Sequence, residues 1–125
     1  MQTREQRYAT AVYSRVEART YNGDQEKKNK YGAMAHKLPV LIRSAGLAQA
    51  LAFVDTRKDV QKDILCDLEI VLRETGCLAQ DQQLLARSRQ AEIGEYMLLT
   101  EHSLAALLWF KRFAQSLLEV EGTGE

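Results

Sequence analysis

The stretch Tyr31–Phe53, YGAMAHKLPVLIRSAGLAQALAF, decides what kind of domain this chain makes. It is apolar and helix-forming, and it is interrupted by the chain's only proline, Pro39, and by Gly46. Proline lacks an N–H, so it starts a helical turn more readily than it continues one. The stretch is therefore predicted as two or three helical pieces meeting at fixed angles. Leu47–Val54 is apolar almost all round, Gln49 being the exception. A helix without a polar face has to be covered by its neighbours, which places this segment inside a small helical domain.

Working outward, no segment alternates with period two over the length of a strand, and helix formers dominate. The expected fold is all-α: a single-domain bundle of about six helices over residues 1–121, some short, with a kink at Pro39 and a loose tail at 122–125. Thr3 and Gln6 suggest a capping box for a first helix from about Arg4 to Tyr21. Asn22-Gly23 ends it, and Asp24 caps a second helix running to about Lys37. Pro39 restarts the chain to about Ser44, and a further helix follows over Leu47–Val54. Asp55 and Thr56 then read as caps for a helix from Arg57 to Glu74, with Val60, Ile64, Leu68, Val71 and Leu72 as its apolar stripe. A shorter helix from Asp81 to Arg89 precedes the last unit, Glu92–Glu119, which is expected to bend or restart near Thr100.

Length and composition fit one soluble core. A chain of 125 residues, 46 % hydrophobic and 27 % charged, is ordinary for a globular domain. The amino-terminal MQTREQRYAT has no apolar segment of a secretory signal, and the longest apolar run, Leu104–Phe110, is too short to span a bilayer. Cys66 and Cys77 form no CxxC and lack paired histidine ligands. They read as two reduced, partly buried thiols of a cytoplasmic protein, ahead of an extracellular disulfide.

The net charge is zero, but it is unevenly distributed. Residues 1–62 carry twelve Lys/Arg and six Asp/Glu, and residues 63–125 carry five and eleven, so the halves stand at +6 and −6. Such a polar object binds polyanion with one side, or stacks on copies of itself. Lys27, Lys30 and Lys37 fall on one stripe of the second helix, with Lys28 beside it and Tyr31 at its edge. Arg57, Lys58 and Lys62 sit in the first turns of the later predicted helix. Cations there oppose the helix dipole unless an anion is bound, which hints at phosphate. From charge alone, a solvated face neutralised by Asp55, Asp59 and Asp63 is the plainer reading.

Catalytic patterns are missing. His36 and His102 have neither a metal-ligand partner four residues away nor a glutamate three residues before them. There is no glycine-rich phosphate loop and no GxSxG. Glu92, Glu95 and Glu101 read as surface carboxylates, and Trp109, Phe110 and Phe113 as core or subunit interface rather than base-stacking platforms. Tyr96 reads as a core tyrosine whose hydroxyl reaches a partner.

Tyr31-Gly32, Ala35-His36, Leu38-Pro39, Ile42, Gly46-Leu47-Ala48-Gln49-Ala50 and Phe53 form one block; Glu95-Tyr96, Leu99-Thr100 and Leu107–Ala114 form a second. In order and spacing they resemble the small-subunit family of the type III-B CRISPR effector, the Cmr complex. The resemblance implies an all-α protein with no catalysis of its own, no cofactor and no metal. It also implies partners: the other effector subunits, copies of itself in a short filament, and the backbone of a guide–target RNA duplex. It implies no membrane and no small-molecule substrate. It names no catalytic residue, but it gives the basic clusters a use. Lys27, Lys28, Lys30, Lys37, Arg43, Arg57, Lys58 and Lys62 are the candidate phosphate-facing residues, with Arg87, Arg89, Lys111 and Arg112 as second choices. A protein-only helical adaptor or oligomerisation module without RNA contact is the alternative, and a small metal-dependent nuclease using Glu95 or Glu101 ranks third.

Overall fold

The computed structural model describes residues 1–120; the sequence-predicted tail at 122–125 lies outside them. Six α-helices follow in chain order: α1 (Arg4–Glu17), α2 (Gln25–Ala45), α3 (Leu47–Asp55), α4 (Asp63–Glu74), α5 (Leu84–Gln90) and α6 (Ile93–Leu117). Short 3-10 turns at Tyr21–Gly23 and Val60–Lys62 precede α2 and α4. No strand occurs among the described residues. α6 lies at the centre, packed most extensively on α1 and α2 and also on α4, while α3 packs on α2 and α5.

The expected capping box is formed: the Thr3 hydroxyl accepts from the Gln6 N–H, and the Gln6 side chain accepts from the Thr3 N–H. Tyr8, Val12 and Val16 are buried on one face of α1, as their spacing requires. The helix stops at Glu17 rather than Tyr21. The intended last turn is taken by tertiary contacts, because Arg19 and Tyr21 turn inward to acidic side chains of α4.

The expected break before Pro39 is not made. α2 runs unbroken through it, from Gln25 to Ala45. An interior proline costs about 3 kcal/mol through one lost hydrogen bond and a clash with the preceding turn. Against that stands the burial of Tyr31, Met34, Ala35, Leu38, Pro39 and Ile42 on one continuous face. Each large apolar side chain among them contributes roughly 1.5–3 kcal/mol, so packing outweighs the local penalty.

α6 likewise neither bends nor restarts at Thr100, whose hydroxyl instead bonds back to the Tyr96 carbonyl. α4 begins at Asp63, not Arg57. Thr56 closes α3, and the Asp59 carboxylate caps the following 3-10 turn by accepting from the Gln61 N–H. α5 begins at Leu84 rather than Asp81.

The core holds one polar hub that hydropathy does not reveal. Asp67 on α4 is fully buried. It accepts from Arg19 Nε and a second guanidinium N–H, both at 2.8 Å, from Arg15 Nε at 3.1 Å and from the Tyr31 hydroxyl at 2.6 Å. Nearby, the Tyr21 hydroxyl donates to Asp63 at 2.6 Å. The cluster ties α1, the 3-10 turn and α2 to α4. Hydrogen bonding to Asp67 pushes the Arg19 pKa up. Burial, reinforced by the neighbouring carboxylates, pushes the Tyr31 and Tyr21 hydroxyls well above the usual tyrosine range.

Candidate nucleic-acid interface

Helical residues are about 100° apart, so the lysines of α2 can be placed around its axis. Lys27, Lys30 and Lys37 fall within one outward arc and are exposed. Beside this arc stands Phe53 of α3. The Lys37 ammonium lies 5.0 Å from its ring centroid and the Arg57 guanidinium 5.2 Å. Two cations, one from a helix and one from the α3–α4 connection, therefore converge on a single aromatic ring. Each such contact is worth about 0.5–1 kcal/mol at an exposed site, enough to orient a side chain. Gln61 holds the other side of Arg57, accepting from its Nε at 3.1 Å.

Two of the eight candidates are engaged by carboxylates. Lys30 lies 3.8 Å from Glu26 and 3.9 Å from Asp59, and Lys62 lies 3.3 Å from Asp55. Among the described residues, Lys27, Lys37, Arg57 and Lys58 make no ion pair. Their connection-loop position corrects the expectation for Arg57 and Lys58: neither sits in the first turn of a helix, so the dipole argument for phosphate does not apply to them. Arg57 instead shares the Phe53 ring with Lys37 of α2.

Lys28 and Arg43 do not join this flank. Lys28 lies nine positions from Lys37, about half a turn around α2. Arg43 points toward α6, where it lines a groove of about 220 Å³ with His36, Pro39, Val40, Leu104, Leu108 and Lys111. Of the second choices, Arg87 is held by Glu95 and Lys111 joins Arg43 in that groove, while Arg89 and Arg112 are exposed elsewhere. Tyr31, placed at the edge of the basic stripe by its sequence position, is instead fully buried against Asp67.

The histidines serve packing. Nδ1–H of buried His36 donates to the Gly32 carbonyl at 2.8 Å, leaving Nε2 toward Gln115. Arg4 and the Tyr8 hydroxyl both approach Nδ1 of half-buried His102. Burial, with the nearby Arg4 charge, lowers the His102 pKa. Burial, with a hydrogen bond to Cys77, pushes the Tyr8 hydroxyl up to about 12. Both cysteines are free, and Cys66 is exposed rather than partly buried. Among the described residues, no three His, Cys, Asp or Glu side chains converge as metal ligands, and no helix is long and apolar enough to cross a membrane.

The family model described as CRISPR-associated protein (Cas_Cmr5) matches residues 4–117. The chain belongs to the Cmr5 family. A curated relative, the CRISPR system Cmr subunit Cmr5 of Thermus thermophilus, is 44 % identical over 95 % of this chain and 99 % of its own length. The crystal structure of a CRISPR-associated Cmr5 family protein from the same organism superposes with a TM-score of 0.79, at 43 % identity, over 96 % of this chain and all of that one.

The two sequence blocks that resemble the Cmr5 family meet in space. The Tyr96 hydroxyl of the second block accepts from the Ala48 N–H of the first at 3.0 Å. It takes the place of a side-chain cap at the start of α3, where Gly46 has none to offer. Gly46 itself has φ +90°, and an added Cβ would stand 3.2 Å from that hydroxyl.

Proposed function

We propose that this Cmr5-family chain is a non-catalytic small subunit of a type III-B CRISPR RNA-guided effector, acting in the cytoplasm. In this reading it assembles with the other effector subunits, stacks in several copies, and lines a channel that holds target RNA or the guide–target duplex. The observation that carries the RNA contact is the convergence of Lys37 and Arg57 on Phe53 without a carboxylate partner. A phosphate held by that pair would gain two oriented cations, and Lys27 and Lys58 extend the same flank. Contact through lysine and arginine at the backbone neutralises charge without reading base sequence.

One copy meets few phosphates, so isolated protein should bind RNA weakly and affinity should rise as copies add along a strand. The test is target-RNA capture by the assembled effector carrying Lys37→Glu and Arg57→Glu. Capture should fall at moderate salt while assembly and the circular-dichroism spectrum of the subunit stay unchanged. Undiminished capture would refute the flank as an RNA contact and favour the adaptor role.

A further inference from the structure

Carboxylates stand among the cations of the basic flank. Glu26 and Asp59 lie against Lys30, and Asp55 lies against Lys62. Exposed pairs of this kind contribute little on their own, and a carboxylate near a phosphate site weakens binding by repulsion.

Asp59 differs from the other two in what it does to the backbone. One carboxylate oxygen accepts from the Gln61 N–H at 3.0 Å, while the other faces Lys30 of α2 at 3.9 Å. That N–H opens the 3-10 turn Val60–Lys62, which runs straight into α4. Lys62, at the start of α4, offers no side-chain cap, so Asp59 caps the whole helical run. Its backbone is extended, as a cap requires, with φ −112° and ψ −165°.

The capped turn packs on α2, α3 and α4. It carries Gln61, whose side-chain carbonyl accepts from Arg57 Nε at 3.1 Å. On its other side, the Arg57 N–H donates to the Val54 carbonyl at 3.0 Å, where α3 ends. Arg57 is thus tied to α3 by its main chain and to the capped turn by its side chain. With Nε given to Gln61 and the Phe53 ring against the guanidinium, the two Nη groups are left to meet a ligand. A planar fork held in this way matches the oxygens of a phosphate.

Taking the flank as an RNA contact, as proposed above, we infer that Asp59 is a positioning residue for it. By capping the turn it fixes Gln61, and through Gln61 it fixes the Arg57 guanidinium beside Lys37. The sign is opposite to the one charge alone gives. Loss of the negative charge favours RNA, whereas loss of the cap releases Arg57. Asparagine caps about as well as aspartate and alanine does not, so two substitutions separate the effects.

The test is target-RNA capture by the assembled effector at about 0.1 M salt, where charges more than about 10 Å apart are largely screened. Asp59→Ala should weaken capture by about two- to tenfold, the range for one lost cap, although it makes the subunit more positive. The conservative Asp59→Asn should restore capture to the wild-type level or above. In an Arg57→Ala/Lys58→Ala background, Asp59→Ala should no longer weaken capture, because the cations it positions are gone. Tighter capture by Asp59→Ala, equal weakening by both substitutions, or undiminished weakening in that background would overturn the inference. The last outcome would mark a role in general stability alone. If the Arg57→Ala/Lys58→Ala background itself captures RNA like the wild type, the flank is no RNA contact and the positioning role falls with it.

Discussion

Replacing Asp67 with alanine removes the only buried carboxylate among the described residues and strands its partners unequally. The guanidiniums of Arg15 and Arg19 keep side-chain exposures of 29 % and 21 %, so they recover some water. The Tyr31 hydroxyl, fully buried, recovers none. Leaving a buried donor unpaired costs about 1–3 kcal/mol, and breaking a buried charged cluster from one side about 3–5 kcal/mol in all. Total stability for such a domain is roughly 5–15 kcal/mol, so Asp67→Ala should remove about a fifth or more of it and lower Tm by about 10–20 °C. Urea unfolding followed by far-ultraviolet circular dichroism measures this directly. Tyr31→Phe should cost about 1 kcal/mol alone and much less in the Asp67→Ala background, since the partner it served is already gone. A loss below about 1 kcal/mol for Asp67→Ala, or full additivity of the pair, would refute the hub as a source of stability.

Tyr96→Phe deletes the hydroxyl that caps α3 and should lower stability by about 1 kcal/mol, read from the same urea curves. Ser103 has the one buried side-chain oxygen among the described residues without a hydrogen-bond partner, so Ser103→Ala should leave the protein as stable or more stable, by up to about 1 kcal/mol. Tyr8, Tyr21 and Tyr31 hold their protons more tightly folded than unfolded. Their contribution is complete below pH 10 and lost as pH rises through the folded values, so urea midpoints should fall on that side. His102 works in the opposite sense: its folded pKa is lowered, so its contribution is present above pH 6.5 and lost as pH falls through the folded value. His102→Gln should flatten the decline of the midpoint just below pH 6.5.

Helix content, the capping box of α1 and the buried faces of α1 and α4 follow from local pattern, and those features were legible in the sequence. Pro39 was misleading because local propensity ignores the buried face formed by Tyr31, Met34, Ala35, Leu38 and Ile42, which holds α2 together around it. Arg57 and Lys58 were placed on a helix because Asp55 and Thr56 look like amino-terminal caps, whereas Thr56 ends α3 and Asp59 does the capping. The basic flank was partly legible. Helical spacing groups Lys27, Lys30 and Lys37 and, once α2 is continuous, sets Lys28 and Arg43 apart, but only tertiary structure brings Arg57 and Phe53 to Lys37. Asp67 was missed because hydropathy treats a single carboxylate within a helix of mixed polarity like any surface residue. A close look at its helical phase, between Ile64, Leu68 and Val71, would have flagged it as facing inward.

The most direct measurement of the RNA role is the salt dependence of RNA affinity for the assembled subunit row, in the wild type and in a Lys37→Ala/Arg57→Ala variant. Each phosphate neutralised contributes about 0.7–0.9 to the slope of log affinity against log salt. If these two side chains contact backbone, the variant's slope should be shallower by about one to two for each copy engaged. Equal slopes would contradict an RNA role for the flank that Lys37 and Arg57 define.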